Sequence, residues 1–169
     1  IELETMLKAS NNIDISTNIS FRKNKNIDYK TNFNGEVTNW GDTDISFSPN
    51  LISSIAFNYN PKKDLNISLL NKFVGDQYMS NTESVVSKLN SYSTTDLNFI
   101  YSFKKSKYFN EIIFTAMLNN IFNKEYVSNG YYYTYDDTWS DPNMVTTIEG
   151  TGYYPQAKRN FLIGFTFKL

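Results

Sequence analysis

The sequence predicts an all-β protein, an antiparallel transmembrane β-barrel segment of about seven strands, and three observations lead to this prediction. In the last eleven residues, a large apolar side chain occupies every second position, so these side chains share one face of a strand. No stretch approaches the roughly 20 apolar residues that a membrane-spanning helix needs. Long and short connections alternate between the strands, as they do in membrane barrels. The apolar residues of the last strand are Phe161, Ile163, Phe165, Phe167 and Leu169.

The composition narrows the class of protein further. The 169 residues are 17% aromatic, carry a net charge of -1 and include neither Cys nor His. The absence of Cys excludes disulfides and thiol chemistry, and the absence of His removes the commonest metal ligand and general base. The charge is too balanced to indicate a nucleic-acid partner. No signal peptide or initiator Met stands at the start, so we expect a processed or partial chain.

Alternation of apolar and polar residues recurs along the whole chain, and each recurrence predicts a strand. We expect polar side chains on the other face of these strands to meet a wet interior, because on a lipid face they would cost several kcal/mol each. The inward positions are Asp96, Asn98, Ser102, Thr115, Asn119, Asn160 and Thr166. The predicted strands cover residues 1–7, 13–21, 51–59, 65–78, 97–103, 112–118 and 159–169.

The connections between these strands have two lengths. Short turns are predicted at 10–12, 60–64 and 104–110, the second because Pro61 fixes φ and cannot continue a ladder. Long loops are predicted at 23–47, 79–91 and 127–157, and the first is either a plain loop or a loop with its own extended rims. In a membrane barrel the long loops are extracellular and the short turns periplasmic, which places the carboxyl terminus in the periplasm.

The number of strands bears on the domain organisation. Bacterial single-chain barrels have even numbers of strands, from about eight upwards, so seven cannot close alone. We therefore expect residues 1–169 to be one carboxyl-terminal segment of a larger barrel. A soluble β-sandwich gives similar alternation and is the alternative that periodicity leaves open.

Four blocks of sequence resemble the late barrel of TonB-dependent outer-membrane receptors, in the order and with the spacing of that family. The bias towards Asn, Lys, Ile and Tyr, together with the YPQA of the last block, resembles the Bacteroidota type of these receptors. The blocks are FSPN (47–50) with KFVGDQY (72–78), YSTTDL (92–97), LNNIFNKEY (118–126) and YPQAKRNF (154–161).

The resemblance implies a fold and a function. Such a receptor has a barrel of about 22 strands around an amino-terminal plug, and it imports scarce ligands such as siderophores, haem, cobalamin or glycans with energy delivered through TonB. The implied partners are outer-membrane lipid, the rest of the barrel, the plug, the TonB system through that plug, and the barrel assembly machinery. The plug is absent from this chain. Within the family, the pattern is closer to siderophore or cofactor receptors than to glycan importers. No cofactor is implied.

Two other functions stay open at this point. The chain could belong to a non-transporting barrel, such as an adhesin or an assembly subunit, or to a soluble carbohydrate-binding sandwich. An enzyme is not expected, because no serine has a histidine base and no glycine-rich phosphate loop is present.

The end of the last strand resembles the signal that the outer-membrane assembly machinery recognises. The residues that carry the resemblance are Gly164, Phe165, Phe167 and Leu169. Two departures from the usual pattern are Leu169 in place of a terminal aromatic residue and Leu162 in place of a polar one.

The longest loop contains the main candidates for ligand contact. Exposed aromatic rings can stack on sugars, aryl siderophores or a haem edge, although packing of the loop against its neighbours is the favoured interpretation. Trp40, beside Asp42 and Asp44 in the first long loop, is a fainter candidate. Calcium binding by Asp136, Asp137 and Asp141, or by Asp42 and Asp44, lacks a recognised spacing, so no metal site is predicted. The candidates in the longest loop are Tyr131, Tyr132, Tyr133, Tyr135, Asp136, Asp137 and Trp139.

Overall fold

The computed structural model describes residues 1–33, 35–104, 108–141 and 144–169, so part of the predicted turn at 104–110 lies outside the described residues. Seven strands form one antiparallel sheet in the order β1-β2-β5-β6-β9-β10-β13, in which each strand pairs with its neighbour along the sheet. The prediction of seven antiparallel barrel strands is confirmed. The strands are β1 (Glu2–Ser10), β2 (Ile13–Phe21), β5 (Leu51–Lys62), β6 (Leu65–Val74), β9 (Tyr92–Lys104), β10 (Glu111–Asn119) and β13 (Asn160–Lys168).

The three long connections contain further strands, whereas the sequence suggests loops at 79–91 and 127–157 and allows extended rims only at 23–47. Two of them fold back as long hairpins whose strands pair antiparallel across a turn, and the third contains a very short one. Among the described residues, no helix has the length and apolar character needed to cross a bilayer. The added elements are β3 (Lys25–Phe33) with β4 (Glu36–Asp44), β7 (Gln77–Tyr78) with β8 (Lys88–Leu89), a 3-10 helix at Val85–Ser87, and β11 (Val127–Asp137) with β12 (Thr146–Pro155).

Pairing in register makes one continuous apolar face across the sheet. Phe165 of β13 faces Phe114 of β10, which faces Tyr101 of β9, and the same face continues through Phe57 and Ile15 in β5 and β2. Each predicted inward residue lies on the opposite, polar face. The alternation predicted from sequence therefore holds in three dimensions.

The sheet is a single layer in the described part of the chain. The central apolar residues stay open, with Phe57 40% and Phe165 59% exposed. The buried apolar side chains are Val74, Met79 and Leu89, at the long-loop end of the sheet rather than over its face. A β-sandwich would bury one face of each strand, so this arrangement excludes the sandwich alternative for the described residues.

The strand ends are staggered as barrel closure requires. Ile13, the first residue of β2, lies in one cross-strand row with Ile67 of β6 and Ala116 of β10. Towards the short-turn end of the sheet, β6 begins two residues before this row and β10 begins five residues before it. The mean offset is about two and a half residues for every two strands, or roughly 8 Å along the strand for roughly 10 Å across the sheet. This slope of about 40° matches the tilt of membrane-barrel strands.

Candidate functional site

The long connections come together at one end of the sheet, and we call their described residues within 22–50, 75–91 and 120–159 the long-loop cap. Lys25 at the base of β3 bridges Asp44 at 3.4 Å and Glu83 at 3.8 Å, and the backbone N–H of Asp44 donates to Glu83. The backbone N–H of Phe47 donates to the carbonyl of Tyr78 at 2.8 Å. These contacts join the first long connection to the second.

Asn120 holds the third long connection to the sheet. Its backbone N–H donates to the Asp96 carboxylate at 2.7 Å, and its amide both donates to the Lys124 carbonyl and accepts from the Lys124 N–H, each at 2.8 Å. A further donation reaches the Ala157 carbonyl at 3.3 Å, across the base of the β11–β12 hairpin. Asn120 has a φ of 51°, a left-handed value that asparagine tolerates better than most residues.

The two faces of the β11–β12 hairpin have different surroundings. On one face, Gly130 is buried so closely against Met79 that an added Cβ would lie 2.7 Å from the sulfur atom. On the same face, the Tyr132 hydroxyl donates to Glu149 at 2.5 Å, and Ser84 also donates to that carboxylate. This face attaches the hairpin to the second long connection.

Hydrogen bonding and burial shift the pKa values of this pair apart. Burial, and then the hydrogen bond to Glu149, raise the pKa of Tyr132 above its usual 10.0. Hydrogen bonds from Tyr132 and from Ser84 lower the pKa of Glu149 below its usual 4.5. The neutral phenol and the charged carboxylate are therefore the forms that the hairpin contact favours.

The opposite face of the hairpin carries an exposed line of rings. Tyr131, Tyr133 and Tyr135 follow one another at centroid distances of 6.1 and 6.3 Å. Trp139 continues the line 6.1 Å beyond Tyr135, and Tyr154 lies 6.1 Å from Tyr131. We call these five residues the aromatic row. The structure thus brings four of the predicted ligand candidates together on one accessible surface.

The two candidate aspartates of this hairpin have local partners. Asp137 is buried, and it accepts from the backbone N–H groups of Trp139 at 3.1 Å and Ser140 at 3.0 Å. Hydrogen bonds from the side chain and then the backbone of Ser140 lower the pKa of Asp137. Asp136 accepts from the Thr147 hydroxyl at 2.7 Å on the face opposite the aromatic row. Both aspartates fix the hairpin.

Trp40 lies apart from the aromatic row, on β4. Its indole N–H donates to the Thr31 hydroxyl at 2.9 Å, and the side chain is 44% exposed. Asp42 accepts from the backbone N–H of Asp28 at 3.1 Å in the same hairpin. In the described part of the chain, no three acidic residues are grouped closely enough to hold a metal ion.

A pocket of about 350 Å³ opens beside the hairpin base. Tyr126, one of its lining residues, stacks on Tyr92 with ring centroids 4.4 Å apart. Burial, and then the negative charge of Asp96, raise the pKa of Tyr126, and Asp96 and Tyr92 both lie on the polar face of the sheet. The pocket is lined by Lys88, Leu89, Asn90, Ser91, Lys124, Glu125, Tyr126, Val127 and Tyr153.

The charges around the pocket are partly paired. Lys88 bridges Asp76 at 2.7 Å, and Glu125 pairs with Lys158. Hydrogen bonding to Lys88 lowers the pKa of Asp76. Lys124 is exposed on the pocket wall. An anionic group with a flat ring would find an ammonium group and two tyrosine rings here.

The residues of the proposed assembly signal lie on the outermost strand of the sheet. Phe165 and Phe167 belong to the apolar face, 59% and 54% exposed, and Leu169 follows the strand. Gly164 lies on the polar face, with no atom within 4 Å of the position of an added Cβ. The strand thus presents its apolar residues as the sequence predicts.

Several residues of the cap belong to the site although the sequence does not indicate it. The pocket lysines gave no recognisable spacing, since they come from different connections. Gly150 and Gly152 lie under the aromatic row. They could have been found by pairing the two halves of the loop as a hairpin, which puts each glycine opposite a tyrosine. Asn120 was visible only as part of the LNNIFNKEY block.

The fold is similar to parts of known receptors. No family model matches the sequence, and no curated protein matches it either. The structure of the siderophore receptor PiuA from Acinetobacter baumannii matches 98% of this chain with a TM-score of 0.70 and 14% identity. The open form of the ferric-catecholate import receptor Fiu from E. coli K12 matches 97% with a TM-score of 0.59 and 13% identity.

The matched region is a small part of each of these two receptors. This chain spans 21% of the length of PiuA and 19% of the length of Fiu. At these identities the likeness concerns the fold, and it extends over nearly the whole chain. Residues 1–169 therefore have the fold of one part of the β-barrel wall of such receptors.

Proposed function

We propose that residues 1–169 form the carboxyl-terminal barrel segment of a TonB-dependent outer-membrane receptor of Bacteroidota type. The complete receptor takes up a scarce ligand, a siderophore, haem, cobalamin or a similar compound. In this proposal the long-loop cap is extracellular, and the short turns and Leu169 are periplasmic. The plug and the TonB contact belong to other parts of the complete protein.

The observation that carries this proposal is the match of nearly the whole chain to the fold of a siderophore receptor. The continuous apolar face supports it, because such a face left open in a single layer suits contact with hydrocarbon. The slope of about 40° supports closure into a larger cylinder by additional strands.

The pocket beside the hairpin base suits the class of ligand that we propose. It lies near the polar face of the sheet, which in a closed barrel lines the interior. Lys124 would attract the negative charge of a ligand such as a ferric catecholate, and the rings of Tyr126 and Tyr153 would stack on its aryl groups. We propose this pocket as a contact on the path of the transported ligand.

Deletion of the gene, followed by growth on single nutrients, tests the function. The nutrients are ferric catecholate, ferric hydroxamate, haem, cobalamin and neutral glycans, each as the limiting source. We expect lost growth on an iron source or on cobalamin, restored by the complete receptor but not in a strain lacking TonB. Lost growth on glycans alone would contradict the ligand class.

Two further results separate the alternatives. A complete protein that resists extraction without detergent, yet whose deletion affects growth on none of these nutrients, would indicate a non-transporting barrel. For the pocket, Lys124→Glu should weaken ferric catecholate binding several-fold, whereas Lys23→Glu, an exposed lysine outside the pocket, should not. Equal effects of the two substitutions would remove the pocket from the proposal.

A further inference from the structure

The aromatic row is a second surface, separate from the pocket. Its five rings are each between 42% and 70% exposed, and neighbouring centroids lie 6.1 to 6.3 Å apart. The planes of Tyr133, Tyr135 and Trp139 differ by only 18° and 8° from one to the next. A buried packing cluster would hide these rings, whereas here they form one accessible line.

Two glycines let the rings lie against the hairpin. Gly152 pairs with Tyr131 and Gly150 pairs with Tyr133 across the two strands. A Cβ added to Gly152 would lie 2.3 to 2.5 Å from three adjacent atoms of the Tyr131 side chain, so the glycine meets the ring from its face. Gly150 meets Tyr133 in the same way, at 2.4 to 2.8 Å. One face of each ring therefore rests on backbone and the other is turned outward.

The surface around these rings has one charged group among its strand residues, the buried carboxylate of Asp137, which accepts hydrogen bonds from the backbone N–H groups of Trp139 and Ser140. The cross-strand partners on this face are Gly152, Gly150 and Ile148. The carboxylates of Asp136 and Glu149 are bonded on the opposite face. An anionic ligand would meet no cation among the strand residues of this face, in contrast to the pocket with its lysines. The charge therefore favours a neutral partner.

We propose that the aromatic row binds a neutral oligosaccharide of linked pyranose rings. The apolar C–H faces of successive sugars stack on successive aromatic rings, and the tyrosine hydroxyls bond to sugar hydroxyls at the edges. A linked chain of pyranose rings repeats at an interval similar to the spacing of the row. This surface would hold a glycan at the cell exterior and is separate from the transport that we propose above.

The test measures binding of cellohexaose, laminarihexaose and maltohexaose, with a sulfated hexasaccharide as the charged comparison, to the complete receptor in detergent. At least one neutral hexasaccharide should bind. Tyr133→Ala should weaken that binding at least tenfold, and Tyr133→Phe, which keeps the ring, only a few-fold. Gly150→Ala should act like Tyr133→Ala, because the new Cβ displaces the ring without removing it.

Phe122→Ala is the matched control, since Phe122 is a 76% exposed ring of the same cap outside the row. It should leave hexasaccharide binding unchanged. The proposal is overturned if no neutral hexasaccharide binds, if only the sulfated one binds, or if Tyr133→Ala and Phe122→Ala have the same effect. It is also overturned if Tyr133→Ala abolishes ferric siderophore uptake while no sugar binds, because the row then serves the transported ligand.

Discussion

At the scale of single residues, Asn120 joins the sheet to the longest connection. Its amide is bonded to both backbone groups of Lys124, and its own N–H is bonded to Asp96. Asp96 and Asn120 belong to two of the sequence blocks that resemble the receptor family. Phe47 and Asn123, from the same set of blocks, also have left-handed φ values of 53° and 54°. The sequence blocks that resemble the receptor family therefore include positions where the backbone between elements adopts a left-handed φ.

Substitution of Asn120 by alanine should loosen the base of the β11–β12 hairpin. The change leaves the Lys124 backbone groups without these partners and puts alanine at a left-handed φ, so we expect a cost of about 1–3 kcal/mol. Hydrogen exchange of residues 120–126 in the complete protein measures it. Asn50→Ala, at an exposed position of the cap outside the pocket, is the control and should leave exchange unchanged. Equal protection in both variants would contradict this role.

The contact between Tyr132 and Glu149 gives a second residue-scale prediction, a dependence on pH. Because the pKa of Glu149 is lowered in the fold, its contribution is complete above 4.5 and is lost as the pH falls through the lowered value. Because the pKa of Tyr132 is raised, its contribution is lost only as the pH rises above 10.0, through the raised value. The contact is therefore strongest between these limits.

Glu149→Gln should remove the acid limb of this dependence. Exchange of the β11–β12 amides, corrected for the intrinsic effect of pH, is compared between pH 7 and pH 3.5. We expect the original protein to lose protection of this hairpin in acid, and the variant to be less protected at pH 7 with a smaller change. If both respond to acid equally, other carboxylates of the cap, such as Asp76 or Asp137, control the response.

At the scale of elements, the β11–β12 hairpin depends on glycines for both of its faces. Gly130 admits Met79 on the packed face, and Gly150 and Gly152 admit tyrosine rings on the open face. A ring laid over a cross-strand glycine covers backbone that would otherwise be open to water, which compensates for the poor strand propensity of glycine. The hairpin is therefore specified by its own sequence as well as by its neighbours.

Gly130→Ala should detach this hairpin from the second long connection. The added Cβ would lie 2.5 Å from the Gly152 carbonyl oxygen, a backbone atom that cannot move aside alone, so we expect a cost of about 1–3 kcal/mol. Met79, buried at 7% exposure, should then become open to peroxide, and mass spectrometry of its sulfoxide measures this. Gly164→Ala, with open space at its Cβ, should leave Met79 protected.

The sequence predicts the sheet strands better than the cap, for a physical reason. A strand with one apolar and one polar face has a period that can be read directly, as in β13 and β2. The hairpins of the cap lack that contrast, since Tyr132 alternates with tyrosines on both sides, so the sequence suggests a loop. Which tyrosines are packed and which are open depends on contacts with Met79 and Ser84, distant in sequence.

At the scale of the whole molecule, the apolar residues follow the tilt of the strands. In β2 the apolar residues extend from the cross-strand row of Ile13 towards the long-loop end of the sheet. In β13 most of them lie on the other side of that row, towards the short-turn end, as far as Phe167. This apolar band shifts along the sheet together with the strand ends. Once the strands tilt by about 40°, the band is level, that is, parallel to the plane of the membrane. Thr5 and Thr17 fall within this band, and their hydroxyls bond to each other at 2.5 Å. That pairing reduces the cost of two polar groups on the apolar face.

The level band leads to a prediction about insertion into the outer membrane. Phe114 lies near the middle of the band, between Tyr101 and Phe165, and Thr115 is the next residue, on the polar face. Phe114→Arg should destabilise the inserted complete receptor by about 2–4 kcal/mol, the cost of arginine on a lipid face near the bilayer midplane. Thr115→Arg adds the same charge to the wet interior and should cost much less.

The amount of heat-modifiable receptor in isolated outer membranes measures both variants. A large loss for Phe114→Arg together with a small loss for Thr115→Arg supports contact of the apolar face with hydrocarbon. The reverse order would mean that the faces are exchanged, with the polar side outward. Equal losses would mean that both faces pack against protein, as in a sandwich completed by other parts of the complete chain, and the receptor proposal would then fail with the membrane assignment on which it rests.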